Sequence, residues 1–391
     1  MSDPIASYLL LSLPTKAAPE SAPSTSSTQW IERELLQGKT VISNITIPQF
    51  KIGTLDSLVL QSEELQKIDE QLGNSVGKVL EVLSSLYDGN QPLINSAKRV
   101  DDNSVTEYLE KFTWKTAKYR VDKPIKDLIK TISDEAFQLD SDVRNTFSNY
   151  NTAKSNLAAA ERKQTGDLSV RSLHDIVSPS DFVLGSEHLQ TVLIAVPKSL
   201  EKDYLNCYES LVKMTVPRSA HVIKSDQEYV LYTTTLFKKY VPDFYQACRE
   251  RKFVPRDFVY SEDVLNQMRR EHEVAAQTEN RLRGELIRLA KAAYSDITSN
   301  WFHIKAIRIF VESVLRYGLP PDFVTSVIKL PNIKAAEQAK KELIHEFGYL
   351  GGAAFSVDKK GKVVKDGALN EYASLVDTEY EPFVVYEVEI K

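Results

Sequence analysis

Residues 157–177 read LAAAERKQTGDLSVRSLHDIV. Alanine and long charged side chains favour a helix, and glycine commonly ends one. The helical pattern runs into Gly166, and a different pattern starts immediately after it. This stretch therefore predicts the end of a helix with a separate unit attached.

Traced backward, the helix starts near Asp122, a candidate N-cap, with Pro124 tolerated in the first turn. From Ile125 to Ala160 apolar residues recur in ten steps covering 35 residues, or 3.5 per step. That period keeps one seam facing one partner. No Gly or Pro interrupts the pattern between Ile125 and Thr165. At 1.5 Å per residue such a rod reaches roughly 60 Å, longer than a compact domain needs.

Traced forward, residues 167–260 alternate like a small domain with strands and helices of its own. LQTVLIAV (189–196) predicts a buried strand closed by Pro197. A helix is expected over Ser199–Val212, strands over His221–Ile223 and Tyr229–Phe237, a helix over Val241–Arg251, and an extended return over Phe253–Tyr260. A second rod then starts at Ser261, followed by Glu262 and Asp263 at the positive end of its dipole. Its seam runs from Leu265 to Val311, and Gly318-Leu-Pro-Pro ends it. The charged stretch Arg269–Arg283 predicts a solvated middle, and WFHIKAIRIFVESVLRY (301–317) a buried far end. If the rods pair antiparallel, residues 167–260 sit at the tip of a helical hairpin.

The remaining segments meet at the other end. YLLLSL (8–13) and VISNITI (41–47) predict strands, each stopped by proline. Thr28 is a candidate cap for a short helix, and Thr54–Tyr87 predicts a longer one interrupted around Gly73 and Gly77. PFVVYEVEI (382–390) could join the sheet that YLLLSL begins. The expected fold is α/β (α+β), an elongated dumbbell. Its foot is residues 1–120 with 318–391, its neck helices are 121–166 and 261–317, and its head is 167–260.

Composition bounds the function. A net charge of −5 over 391 residues argues against a general nucleic-acid binder. The 14 glycines are about half the usual ~7%, which leaves few loops to cradle phosphates. No apolar run approaches the ~18–20 residues of a membrane span, and the first residues lack the basic charge of a signal peptide. Cys207 and Cys248 have no paired or metal-type spacing, so they read as buried thiols of a cytosolic protein.

Candidate chemistry is sparse. Gly38-Lys39-Thr40 resembles the end of a phosphate loop, but Arg33 stands where the motif needs glycine. His272-Glu273 resembles the start of a zinc-protease motif, but Ala276 occupies the place of the second histidine. Asp377, Glu379 and Glu381 share one face of an extended segment and read as a solvated acidic face. The charged run 358–365 reads as a hairpin turn around Gly361, with contact to an acidic partner as the alternative. Phe253, Phe258 and Tyr260 alternate with basic residues, Arg256 among them, where the inserted domain rejoins the rod. Core packing is the default for each ring; protein-binding anchors are the alternative. No catalytic, cofactor or metal residues are nominated.

Several long stretches go further: LAAAERKQTGDLSVRSLHDIV (157–177), NWFHIKAIRIFVESVLRYGLPPDF (300–323), YASLVDTEYEPFVVY (372–386), IPQFKIGTLDSLV (47–59) and EYLEKFTWKTAKYR (107–120). They resemble the C-subunit family of the eukaryotic vacuolar-type proton-pumping ATPase (V-ATPase). The resemblance implies a head, neck and foot, and a non-catalytic role in the soluble sector of the pump. It implies a bridge between the peripheral stalks, built from the E- and G-subunits, and the cytosolic domain of the membrane a-subunit. It also implies reversible release from the pump and placement on the cytosolic face of the vacuole and other acidified compartments. An actin-binding cytoskeletal adaptor and a nucleotide-hydrolysing enzyme are the rival readings.

Overall fold

The computed structural model describes residues 6–35, 42–173, 175–357, 363–365 and 381–390. Strand β1 (Ala6–Pro14) contains the YLLLSL run. A helical turn, α1 (Ser27–Trp30), follows; its cap is Ser26, whose hydroxyl accepts the Gln29 N–H, not Thr28, which lies inside the turn. After β2 (Ile42–Ile45) comes α2 (Leu55–Leu86), capped by Thr54. It runs 32 residues without the expected break at Gly73 and Gly77. Two glycines cost about 1 kcal/mol each, too little to interrupt a helix that buries eleven side chains.

Helix α3 (Gln91–Ala97), the short ladder β3 (Arg99–Val100) and β4 (Asn103–Ser104), and α4 (Val105–Glu110) come next. Helix α5 (Ile125–Thr165) is continuous for 41 residues. Asp122 does not cap it: its carboxylate takes a bidentate pair from Arg120, and the Pro124 carbonyl receives the first amides, Asp127 and Leu128. The inserted segment gives β5 (Leu189–Pro197), α6 (Glu201–Cys207), β6 (His221–Ser225), β7 (Tyr229–Phe237), α7 (Val241–Glu250) and β8 (Val254–Arg256). Helix α6 is shorter than the helix expected over Ser199–Val212, because 3-10 turns flank it on both sides. The chain then forms α8 (Glu262–Tyr317), β9 (Phe323–Leu330), α9 (Ile333–Phe347), β10 (Phe355–Val357), β11 (Val363–Lys365) and β12 (Val384–Ile390). Every strand pair named here is antiparallel, so of the two expected classes the chain is α+β.

The chain divides into two compact units: Met1–Asn145 with Ile287–Lys391, and Thr146–Leu286. In the first, a four-stranded sheet has the order β12-β1-β9-β2. The C-terminal strand does join the sheet of YLLLSL, with Leu10 opposite Tyr386 on one side and Val327 on the other. Flanked by two strands, β1 is buried on both faces. Leu9, Leu11 and Leu13 pack with Ala336, Leu343 and Phe347 of α9. On the other face the Ser12 and Ser313 hydroxyls meet at 2.8 Å, which seats the last turns of α8 on the sheet. The α8 stretch from Phe302 to Val314 is largely buried, in keeping with its apolar sequence.

In the second unit the sheet order is β6-β7-β5-β8. One face carries α6 and α7 over Val192, Ile194 and Tyr232, with Tyr204 of α6 and Phe244 of α7 in the same core. The other face packs Leu193, Ala195 and Leu231 against Leu168, Leu173 and Leu265. The α5 seam residues Tyr150, Ala153 and Ala160 are buried here, and Lys163 of α5 pairs with Glu271 of α8 at 2.9 Å. From Arg270 to Arg281 α8 is half-exposed or exposed, the solvated stretch that its charges predict.

Candidate functional site

Among the described residues, no group of three or more His, Cys, Asp or Glu side chains could hold a metal ion. No described helix is long and apolar enough to cross a membrane. Gly38, Lys39 and Thr40 lie outside the described residues, as do Asp377, Glu379 and the turn around Gly361. Glu381 is half-buried and pairs with Lys340 at 2.9 Å. Glu273 accepts a hydrogen bond from Gln277, one turn away. Cys248 is buried and Cys207 half-buried, both as free thiols, and burial pushes the Cys248 thiol up to about 12.

The four residues at the place where the inserted segment rejoins the helix sit differently from one another. Phe253 is in the core under α6 and α7, edge-on to Tyr204 with ring centroids 5.1 Å apart. Phe258 is buried on the opposite face of the sheet with Leu168 and Leu173. Tyr260 is half-buried beside Phe182, centroids 5.2 Å apart. Arg256 donates to the carbonyls of Leu168 and Arg171, so its guanidinium ties β8 to the chain leaving α5. Burial holds that guanidinium below the ordinary arginine range.

Asp226 completes the junction. Its carboxylate accepts the N–H groups of Leu168, Glu228 and Tyr229, at 2.7, 2.8 and 2.6 Å. Burial works to raise the carboxyl, but these three donors hold it below the usual carboxylate range. Gly166 itself admits no side chain: a Cβ there would stand 2.6 Å from both the Arg162 carbonyl oxygen and Val170 Cγ2. The chain leaving α5 is thereby tied to the sheet by Arg256 and Asp226, and Gly166 permits the tight packing where the helix ends.

The first unit holds a charged cluster that no sequence motif singles out. Asp69 of α2 accepts Trp301 Nε1–H at 2.6 Å and pairs with Lys305 at 2.8 Å and Arg308 at 2.6 Å. Arg308 in turn stacks over the Tyr386 ring, 4.3 Å from its centroid. The sequence does carry a weaker signal for this cluster. Asp69 falls on the apolar stripe of Leu65, Ile68 and Leu72, and Lys305 and Arg308 interrupt the apolar run 301–317. Charged residues on a buried face are usually paired.

His303 is enclosed by Phe112, Trp114 and Tyr119, with centroids 4.9–5.2 Å away. Its Nδ1 faces the Ser299 carbonyl at 2.7 Å, and its Nε2 accepts the Lys115 N–H at 3.2 Å. That arrangement selects the neutral ring, and burial pushes its pKa down to about 4. These buried groups hold α2, the segment 112–119 and β12 against α8.

Comparison with known proteins adds what geometry does not. A solved cytoplasmic N-terminal domain of the I-subunit, a homolog of the a-subunit of V-ATPase, covers 87% of this chain and 97% of its own. At TM-score 0.30 and 12% identity that likeness carries no argument. The chain is 55% identical over 386 residues to the V-type proton ATPase C-subunit of Saccharomyces cerevisiae, covering 98% of this chain and 97% of that one. It is 36% identical to V-type proton ATPase C-subunit 1 of Rattus norvegicus, over 89% and 90% of the two chains. It is 34% identical to C-subunit 1-A of Danio rerio, over 94% and 96%. The family model for the V-ATPase C-subunit matches residues 8–384, and the chain belongs to that family.

Proposed function

We propose that this chain is a non-catalytic subunit of a V-type proton pump. It bridges the peripheral stalks of E- and G-subunits to the cytosolic domain of the a-subunit, on the cytosolic face of acidified compartments. The observation that carries this reading is 55% identity to the yeast C-subunit along 98% of the chain. Two uninterrupted helices of 41 and 56 residues support a spacer role, since helices of that length reach roughly 60 and 80 Å. A stator must resist torque, and helices are stiff along their axes. Engagement at two ends also raises overall affinity ~10²–10⁴-fold over either contact alone, so losing one contact releases the whole protein. That is a physical basis for reversible assembly. No observation favours an actin-binding adaptor.

Expression in yeast cells lacking their own C-subunit tests this. The chain should restore vacuolar acidification and co-purify with the E-, G- and a-subunits. A stable, expressed chain that neither restores acidification nor co-purifies with them overturns the proposal.

A further inference from the structure

The outward face of α2 breaks the pattern that its inward face obeys. Leu58, Leu65 and Leu72 are fully buried, as an amphipathic helix requires. Yet Leu55, Val59 and Leu60, outside that stripe, are 58%, 49% and 68% exposed. Among the described residues no other stretch of six carries three exposed large apolar side chains. Helix propensity accounts for leucine in such a place. Valine, branched at Cβ, is a poorer helix former and gains nothing from facing water.

Four-residue steps arrange this face in two ridges. One reads Leu55, Val59, Glu63 and the next Asp56, Leu60, Glu64. Asp56, Glu63 and Glu64 are exposed, and among the described residues their carboxylates have no hydrogen-bond or ion-pair partner. On α8, by contrast, Glu285 is matched by Arg281 one turn away. Even with Lys67, one turn beyond Glu63, three carboxylates against one ammonium leave this face a net charge of −2.

That combination selects the occupant. Unpaired carboxylates repel anionic lipid and nucleic acid. The groove between two such ridges has the pitch to seat a ridge of another helix. Apolar knobs one turn apart among acids are complemented by a helix with apolar residues at the same spacing and Lys or Arg beside them.

We propose that the first three turns of α2 dock a cationic amphipathic helix of another pump subunit. The apolar knobs supply the buried contact, and the carboxylates set its orientation and the speed of encounter. This deepens the bridging reading above and rests on it, because the partner is a component of the pump.

The test uses the full chain carrying Leu55→p-benzoylphenylalanine, expressed in yeast cells that lack their own C-subunit. Irradiation and sequencing of the cross-linked peptides identify the segment held at α2. The expected segment belongs to a pump subunit and has apolar residues at three- or four-residue spacing, with Lys or Arg within a turn of them. Its cross-linking should fall about tenfold or more with Val59→Ser plus Leu60→Ser, and by a similar factor with Glu63→Lys plus Glu64→Lys. Tm should stay unchanged in both pairs, because all four side chains are exposed. Salt at about 0.5 M should weaken the contact of the unaltered surface. Cross-links within this chain, to a second copy, or to a segment without basic residues overturn the proposal. So does undiminished cross-linking in both pairs of variants, or the absence of any cross-link while the chain still co-purifies with the E-, G- and a-subunits. A chain that does not co-purify at all overturns the bridging reading first, and the docking surface with it.

Discussion

The carboxylate of Asp69 and the ammonium of Lys305 stand 2.8 Å apart with 6% of each side chain exposed, although 236 residues separate them in sequence. Burial holds the Lys305 ammonium below the ordinary lysine range, and the Asp69 charge opposes that shift. Asp69→Asn leaves Lys305 and Arg308 in the interior without a counter-charge. The expected loss is ~3–5 kcal/mol, the usual cost of breaking a buried pair from one side. Urea unfolding measures it; a change below about 1 kcal/mol contradicts the arrangement.

His303 makes stability depend on acid. Its folded pKa of about 4 lies below its ordinary value of 6.5, so between those limits the unfolded chain binds the extra proton. Stability from this group is complete above about pH 6.5 and declines as pH falls toward 4, by roughly 3 kcal/mol at most. NMR of the ring should show a neutral imidazole, protonated on Nδ1, down to about pH 4. Titration near pH 6.5 rules out the buried geometry.

Two glycines should respond in opposite directions to the same substitution. Gly166→Ala drives a methyl into the Arg162 carbonyl and Val170, and should cost ~1–3 kcal/mol. Gly77→Ala meets open space in a helix and should gain ~0.5–1 kcal/mol. Denaturant midpoints for the pair decide it, and equal signs count against the packing described.

At the junction, truncating a core ring differs from truncating a half-exposed one. Phe258→Ala should cost ~3–5 kcal/mol by opening a cavity between Leu168 and Leu173. Tyr260→Ala should cost much less. If Tyr260 is a contact for the stalk proteins, its truncation weakens their binding at unchanged Tm, and equilibrium binding alongside thermal unfolding separates the two effects. Equal stability losses for both variants contradict the burial difference.

How much of this is legible in the sequence follows from range. The α5 and α8 seams repeat every few residues, so short windows reveal them, and strands bounded by prolines, such as YLLLSL, stand out for the same reason. Thr28 and Asp122 mislead as caps because Ser, Thr and Asp all suit that position, and only the final backbone path chooses among neighbours. Gly73 resembles a helix breaker because its partner, Trp301, is over 200 residues away. Phe253 and Phe258 look alike in sequence, yet the sheet sends them to opposite cores. What stays hidden depends on which distant segments meet, and no local pattern states that.

The position of β1 has a consequence during synthesis. Its partners β9 and β12 lie more than 300 residues downstream, and at ~5–20 residues per second β1 waits roughly 15–65 s for β9 and roughly 20–75 s for β12. Until β9 emerges its leucines have no neighbouring strand of that sheet to pair with, while Thr146–Leu286, contiguous in sequence, can already fold on the ribosome. The nascent chain thus carries a finished unit and an unfinished sticky strand together. Chaperone occupancy of the YLLLSL segment should last until β9 and β12 have emerged.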